Sequence, residues 1–279
     1  MPERVATNPK REVIWIRGRN LRLGIIGIGT VGNAILRGFE GSHEVLTHDK
    51  RTGGSISEVT ENTDVAYIAV PTPTLESTNE CDSSIVESVL NELPDGFSAI
   101  IKSTVIPGTT DRLQRKFPKL KIACSPEFLR ERSAEIDFQN QEILVVGTEH
   151  KDLAELILEH HKTAGLLKNG KFFHVSPTQA EIVKYAKNTF FAIKVIFGNQ
   201  FQDLCMHMDQ DWSDVMEIIT SPHEGSIGPS HLGLIPGKRG FDGGCLPKDT
   251  LAILTELRGL GLDYNLLEAV LEDNNRIRG

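Results

Sequence analysis

The sequence predicts an α/β fold: a doubly wound parallel sheet followed by a smaller all-helical domain. Three features predict it. Short apolar runs alternate with helical stretches from Leu21 to Gly147, the pattern of strands joined by crossover helices. A glycine-rich hexapeptide sits where the first strand meets the first helix. From Thr178 onward the periodicity is helical. The expected division is an N-terminal extension over 1–20, a dinucleotide-binding domain over 21–176 and a helical domain over 177–279.

The extension is polar and irregular apart from Val13-Ile14-Trp15-Ile16, which reads as an extra edge strand or an arm. Leu21–Ile26 reads as a buried strand. Gly27-Ile28-Gly29-Thr30-Val31-Gly32 follows directly and runs into the helical stretch Asn33–Glu40. GxGxxG alone is a weak signal, but between a strand and a helix it is the dinucleotide fingerprint. Gly27 makes the tight turn, Gly29 admits a pyrophosphate close to the backbone, and Gly32 lets helix and strand pack. The free N–H groups of the helix N-terminus suit phosphate. A sheet of Rossmann type is therefore expected.

The second strand, Glu44–Thr47, leads to Asp49, about 20 residues beyond the glycines, where a carboxylate accepts hydrogen bonds from ribose hydroxyls. A 2'-phosphate would be repelled there, which favours NAD over NADP. Lys50 and Arg51 follow at once and temper that preference. Further strands are expected at Val65–Val70, Ala99–Lys102, Lys121–Cys124 and Glu142–Gly147. Ligands of such sheets bind beyond the carboxyl ends of the strands. Three loops fall there: Val70-Pro71-Thr72-Pro73-Thr74, the run from Lys102 to Gly108, and the run from Ser125 to Glu131. Glu127 and Glu131 are four residues apart, on one side if that segment is helical. Paired acids suit proton transfer or water positioning; an exposed Glu131 taken singly also reads as a solvated face.

The second half begins with a long helix, Thr178 to about Met208. Its apolar positions are Ile182, Val183, Ala186, Phe190, Ile193, Val195, Ile196 and Phe197. Lys184 and Asn188 share one face and could present donors to an oxyanion; a surface lysine is the plainer reading. A helix over Trp212–Ile219 precedes a long Gly-, Pro-, Ser- and His-rich loop, Thr220–Gly244. Loops of that length are usually functional. Two helices, Lys248–Leu260 and Tyr264–Arg278, finish the chain.

The long loop leads into Gly240-Phe241-Asp242-Gly243-Gly244-Cys245-Leu246-Pro247-Lys248-Asp249. The glycines let a substrate approach the sulfur, and a nearby ammonium lowers a thiol's pKa. A buried cysteine in a glycine-rich turn is the alternative.

Bulk properties narrow the function class. At 279 residues, the chain is long enough for one large domain or two modest ones. A net charge of -8 argues against nucleic acid as the main partner. No apolar run approaches the ~20 residues needed to span a bilayer, and no signal peptide is read at the start. Cys81, Cys124, Cys205 and Cys245 show neither CxxC pairing nor zinc spacing. No metal is expected, and reduced thiols in the cytoplasm are.

Taken in order, these motifs resemble the nucleotide-sugar dehydrogenases of the UDP-glucose and GDP-mannose dehydrogenase family. The collinear segments are the fingerprint, VPTPT at Val70–Thr74, KSTVIPGTT from Lys102, SPEFLRERSA from Ser125, AEIVKYAKNTFFAIKV from Ala180 and GFDGGCLPKD from Gly240. The resemblance covers about Leu21 to Arg278. It implies a four-electron oxidation of a sugar C6 alcohol to a carboxylate with two NAD, UDP-glucose being the expected substrate. Cys245 would attack the intermediate aldehyde, and the resulting thiohemiacetal would be oxidised to a thioester and hydrolysed. On this analogy Lys184 and Asn188 stabilise oxyanions, while Asp249, Glu127, Glu131 and Thr104 position water and move protons. The cofactor-binding set is Gly27, Gly29, Thr30, Val31, Gly32, Asp49, Arg51, Val70, Pro71, Thr72, Thr104, Glu131 and Lys248. The substrate-binding set is Phe128, Leu129, Arg130, Lys184, Asn188 and Gly240.

The chain also departs from the family's pattern. Relatives usually continue into a third, nucleotide-holding domain, and this sequence stops at Gly279; a separate chain is one expected source of it. The stretch between Asp49 and Asp64 is short, as though a helix were trimmed. Ser226 stands where an arginine usually opens the substrate loop, the run Gly233–Arg239 is longer, and Asp242 and Gly244 replace a glycine and a serine. A homodimer through the long helix is expected, because that helix would otherwise leave apolar surface exposed. Two rival readings stay open: a two-domain β-hydroxyacid-type dehydrogenase, which needs no thiol, and a catalytically silent binding protein.

Overall fold

The computed structural model describes residues 22–222, 226–228, 230–232, 238–262 and 265–278. The expected extension, Leu21, Pro229, residues 233–237 and Tyr264 lie outside the described residues.

Seven strands make one sheet: β1 (Arg22–Ile26), β2 (Glu44–His48), β3 (Val65–Ile68), β4 (Ser98–Ile101), β5 (Lys121–Cys124), β6 (Ile143–Gly147) and β7 (Lys171–Val175). Their order is β2-β1-β3-β4-β5-β6-β7. The first five are parallel, so β1, flanked by β2 and β3, is the point where the winding reverses. Crevices at such a point hold ligands. The sheet is buried on both faces because its residues are apolar on both; Leu23, Ile25, Val65, Tyr67 and Ile100 have no exposure at all. Helices α1 (Thr30–Phe39), α5 (Ala134–Gln139) and α6 (Lys151–Thr163) cover one face, and α2 (Ile56–Asn62), α3 (Ser84–Glu92) and α4 (Thr109–Lys116) the other. Each fully buried Leu, Ile or Phe contributes about 1.5–3 kcal/mol.

The sheet departs from the all-parallel expectation at β6, which runs antiparallel to β5, with Cys124 opposite Gly147. The segment between them stays at the carboxyl end of β5 instead of crossing over, and β7 then runs parallel to β6. The sequence reading missed β7 altogether. Its five residues, KFFHV, form a largely exposed edge without the buried apolar run that marks a central strand. The short stretch after Asp49 still holds a helix, α2, started by a reciprocal capping box between Ser55 and Glu58.

The remaining helices are α7 (Pro177–His207), α8 (Trp212–Thr220), α9 (Leu246–Gly259) and α10 (Leu266–Arg278). Ser176, Pro177 and Gln179 start α7 with a second capping box and a proline in the first turn. Its first turn lies tight against β6: a Cβ at Gly147 would come within 2.8 Å of the Ser176 carbonyl and of Pro177. Further along, Ala192 and Ile196 pack with Phe241 and Val270 in a small separate core.

Most of the apolar positions that mark α7 in the sequence lie off its buried face, Ile196 being the exception. Ile182, Phe190 and Phe197 are exposed, whereas Glu181, Lys184, Tyr185, Asn188, Ala192, Ile196 and Asn199 are buried. The buried stripe recurs every three or four residues, but its members are mostly polar. Glu181 shows why polar residues can lie there. Its carboxylate accepts bonds from the Gly108 N–H (2.6 Å), the Thr110 N–H (2.8 Å) and the Thr110 hydroxyl (2.6 Å), so it caps α4 from the neighbouring α7. Burial pushes its pKa up to about 7 against those three donors.

A second polar group lies inside the α1–α5–α6 core. Tyr67 Oη and His160 Nδ1 are 2.8 Å apart, His43 and His161 border them, and the Nε2 atoms of all three histidines are buried without a partner. Burial lowers the pKa of each, that of His161 to about 3. A base whose folded pKa lies below its unfolded value contributes stability that is present above about pH 6.5 and is lost as pH falls below it. Glu181, an acid with a raised pKa, acts in the opposite direction over pH 7 to 4.5. The histidine contribution is isolated by substitution: in His161→Leu, the acid-side slope of unfolding free energy should shrink by up to about 1.4 kcal/mol per pH unit. Urea unfolding between pH 6.5 and 4.5 measures this, and equal slopes in both proteins contradict it.

Candidate active site

The residues singled out in the sequence gather beyond the carboxyl ends of β1 to β5. At the fingerprint, Gly27 has φ +96°, and a Cβ there would lie 2.6 Å from the Ala69 carbonyl. Only glycine fits such a turn. A Cβ at Gly32 would fall 1.9 Å from the Gly27 carbonyl, so strand and helix approach each other there as the motif requires. A Cβ at Gly29 would meet open space. Gly29 caps α1, and both it and Thr30 are exposed, while Val31 packs on the core. Helix α1 therefore begins at Thr30 rather than Asn33, with its first N–H groups facing the opening. The surroundings of Gly29 suit a pyrophosphate.

Asp49 lies at the end of β2 with its carboxylate already engaged. Oδ2 accepts from the Ile28 N–H (2.8 Å) and Arg51 Nη2 (3.2 Å); Oδ1 accepts from the Arg51 N–H and Nε, both 2.9 Å. Hydrogen bonding to Arg51 holds its pKa well below the usual carboxylate range. Across the opening, Val70, Pro71 and Thr72 follow β3. Thr72 donates to the Thr104 carbonyl (2.7 Å) and Ser103 to the Val70 carbonyl (2.7 Å), which ties the loops after β3 and β4 together. Thr104 itself is half-buried beside them.

The loop after β5 is not helical over 125–130, so Glu127 and Glu131 do not share a helix face. Glu127 is buried and ion-paired with Lys102, which also donates to Ser125 Oγ (3.3 Å). This buried pair escaped the sequence reading, where Lys102 was only the first letter of a motif. Glu131 is exposed in a short 3-10 turn, near enough to Gly243 that a Cβ there would lie 3.4 Å from its carboxylate. Phe128 is half-buried under Lys187, whose Nζ is 4.3 Å from the ring centroid, and Leu129 packs on the core. Arg130 is taken up by Asp137, at 2.7 Å and 3.0 Å.

Lys184 and Asn188 bring α7 to this loop. Lys184 Nζ donates to the Glu127 carbonyl (2.6 Å), and Asn188 Nδ2 donates to Asp249 Oδ2. Asp249 is nearly inaccessible, and its other oxygen accepts from Lys248 Nζ (2.6 Å). Cys245 caps α9, which starts two residues earlier than its sequence suggests, and is the exposed thiol among the four cysteines. Its pKa is nevertheless raised. Partial burial is the largest cause; Lys184 and then Lys248 pull it down, against the charges of Asp249 and Glu131. The expected net acidification by a lysine is therefore corrected: Lys248 is spent on Asp249, and burial outweighs the rest. Burial likewise lowers the pKa of Lys184, opposed by Asp249, Cys245 and Glu127.

Four further residues line or anchor this region without having been singled out. Cys81, half-buried, donates to the Thr104 carbonyl (3.6 Å). Tyr185 follows Lys184 into the buried face of α7. Asn199 and Asn274 anchor the approach to Cys245: Asn199 Oδ1 accepts from Arg239 Nε (2.9 Å) and the Gly240 N–H (3.3 Å), and Asn274 Oδ1 from the Phe241 N–H (2.7 Å). Gly240 has φ +68°, and a Cβ would lie 2.5 Å from Asn274 Oδ1. Side-chain amides accepting from distant backbone leave no periodic trace in a sequence.

Two family models match the chain. One, described as the UDP-glucose/GDP-mannose dehydrogenase family, NAD binding domain, covers 42–164; the other, the central domain of the same family, covers 178–276. The chain is 30% identical over 271 residues to the UDP-glucose 6-dehydrogenase TuaD of Bacillus subtilis, covering 93% of this chain and 56% of that protein. It is 32% identical over 225 residues to the UDP-glucose 6-dehydrogenase of Rickettsia felis, covering 77% and 48%. It spans about half the length of these curated relatives. A UDP-glucose dehydrogenase structure from Pyrobaculum islandicum superposes with a TM-score of 0.82 at 28% identity, covering 94% of this chain and 70% of that one.

The charge of Lys184 should matter to the thiol in a measurable way. Replacing it in Lys184→Met removes the largest force lowering the Cys245 pKa and should slow alkylation of Cys245 by iodoacetamide near neutral pH about tenfold. Peptide mapping reads Cys245 separately from Cys81; an unchanged or faster rate contradicts the arrangement.

Proposed function

The chain belongs to the UDP-glucose/GDP-mannose dehydrogenase family, and from that premise we propose that it oxidises the C6 alcohol of a nucleotide sugar, UDP-glucose first, to the carboxylate. The observation that carries this reading is the meeting of Lys184, Asn188 and Asp249 with Cys245 at the N-terminus of α9, beyond the strand ends. Residues 21–176 would hold the cofactor and 177–279 carry the nucleophile. Bound NAD would accept the hydride lost from carbon in each of the two oxidations. Gly29, with open space around it, and Asp49 fit its pyrophosphate and ribose ends.

The remaining chemistry falls to the chain's own side chains. The alcohol would lose its hydride to the bound cofactor and its proton to water on the open side beside Glu131, becoming an aldehyde. The Cys245 sulfur then bonds to the carbonyl carbon, and the oxygen takes the charge. Lys184 has two N–H groups beyond the one given to Glu127, and Asn188 one beyond that given to Asp249, so both can donate to this oxygen. Loss of the second hydride leaves a thioester on Cys245. Water adds to it and the C–S bond breaks, releasing carboxylate and thiol. Glu131 faces the open side and suits orienting that water. Glu127, held by Lys102, sets the position of the carbonyl that anchors Lys184. Thr104, Lys248 and the Val70–Thr72 loop line the cofactor side, and Phe128, Leu129, Arg130 and Gly240 the sugar side. The arginine is already paired with Asp137 and would contribute by closing that wall. A thiol with a raised pKa ionises more as pH increases, so the step needing thiolate should accelerate from pH 7 toward 9.

A homodimer is part of the same proposal. Phe190, Phe197, Phe201 and Leu204 lie exposed along α7 at helical spacing, with Phe197 and Phe201 ring centroids 4.6 Å apart. A contiguous apolar stripe of that kind fits a second helix. Light scattering of the full chain at micromolar concentration should give a dimer and Phe201→Glu a monomer. A monomeric parent protein contradicts this.

Two NADH formed per molecule of UDP-glucose consumed is the expected stoichiometry, read by absorbance against a panel of nucleotide sugars. Cys245→Ser should form no acid and stall at the aldehyde level. Full activity in that variant would favour a β-hydroxyacid-type dehydrogenase, and no turnover of any nucleotide sugar by the parent protein would favour a binding role.

A further inference from the structure

Asp49 has no free acceptor position. A carboxylate offers about four lone-pair directions, and the Ile28 N–H together with the main-chain N–H, Nε and Nη2 of Arg51 occupies all of them. Arg51 Nη2 also donates to the Ile28 carbonyl (3.0 Å), so the guanidinium spans from the glycine-rich loop to the end of β2. The arrangement is built by the local chain. Both the N–H and the hydroxyl of Thr52 donate to the Asp49 carbonyl (3.0 and 3.2 Å), and Asp49 bridges Gly53. This tight turn brings the Arg51 N–H back to the Asp49 side chain, as aspartate-led turns do. The Arg51 side chain remains 74% exposed, so little packing fixes it there.

Resting on the reading of this crevice as a dinucleotide site, we propose that Arg51 sets its preference between NAD and NADP, occupying the ribose position until a dinucleotide displaces it. The two ribose hydroxyls of NAD must take acceptor positions that Arg51 now fills. Its Nη2 and Nε bonds to Asp49 are therefore broken or rearranged on binding, which weakens NAD. Because the guanidinium half of the pair is exposed, the effect is modest. With NADP the displaced guanidinium becomes an asset. It can fork onto the 2'-phosphate, the geometry in which arginine binds phosphate best, and separate that phosphate from the Asp49 carboxylate. The expected consequence is a site that takes NAD but discriminates against NADP far less than an unaccompanied aspartate would.

Calorimetric titration of the full chain with NAD and NADP in turn, without sugar, tests this independently of turnover. In Arg51→Ala, NAD should bind up to about fivefold more tightly, and NADP at least about tenfold more weakly. Arg51→Lys, which keeps the charge but cannot fork, should fall between Ala and the parent for NADP. The exposure of Arg51 predicts at most a small drop in thermal midpoint; should Arg51→Ala be unstable, Arg51→Gln carries the same comparison. Weaker NAD binding in Arg51→Ala overturns the proposal, as does an unchanged ratio of the two affinities. If the parent protein binds neither dinucleotide, the reading of the crevice itself fails and Arg51 with it.

Discussion

Two side chains one turn apart on α7 hold the site together. Lys184 reaches the carbonyl of Glu127 after β5, and Asn188 reaches Asp249 in the first turn of α9. Four residues of helix span about 6 Å, so the sheet loop and the cysteine-bearing turn are both tied to a single turn of α7. All four groups are buried, and a buried polar group that loses its partner costs about 1–3 kcal/mol. Glu181 extends the same stripe one turn toward the sheet, where it caps α4. The first half of the long helix thus docks largely through polar bonds with directions, and its middle packs through Ala192 and Ile196 on Phe241 and Val270. Directional contacts fix a rotation about the helix axis; apolar contacts tolerate several. The apolar face that remains points outward.

The electrostatics of the mouth follow from that docking. Lys102 and Glu127 neutralise each other inside, and Lys248 and Asp249 do so beside the thiol. Among the described residues Lys184 has no carboxylate directly bonded to it, since its partner is a carbonyl. It is the cation with most influence on Cys245, and burial still outweighs it. A thiol kept mostly protonated at rest is protected from adventitious oxidation, while its donors stay ready for an oxyanion formed nearby. The opposite end of the crevice is arranged in a comparable way, with Arg51 standing on the acceptors of Asp49.

Much of this was legible in the sequence. The central strands could be read because they are buried on both faces and so appear as unbroken apolar runs. The fingerprint could be read because glycines there answer to geometry: positive φ at Gly27, close approach at Gly32. Lys184, Asn188, Cys245 and Asp249 were singled out, and the fold brings them together. What stayed hidden shares a cause. The reversal at β6 depends on a connection remaining at one end of the sheet, and β7 is a short exposed edge; neither leaves a hydrophobic period. The polar stripe of α7 was invisible to a search for apolar spacing, which traced mostly exposed and half-buried positions, Ile196 apart. Glu127 and Glu131 suggested a shared helix face, but the segment between them is not helical. Pairings such as Lys102 with Glu127 and Arg130 with Asp137 depend on which chains meet in space.

The account stands most directly on the sulfur of Cys245 becoming covalently joined to the oxidised carbon. Rapid quenching of the full chain during its first turnovers with UDP-glucose and NAD, followed by digestion and mass analysis of the peptide containing Cys245, measures this. The predicted result is a Cys245 peptide carrying the added mass of the nucleotide-linked sugar acyl group, released by hydroxylamine. NADH accumulating while that peptide stays unmodified at every quench time would contradict it.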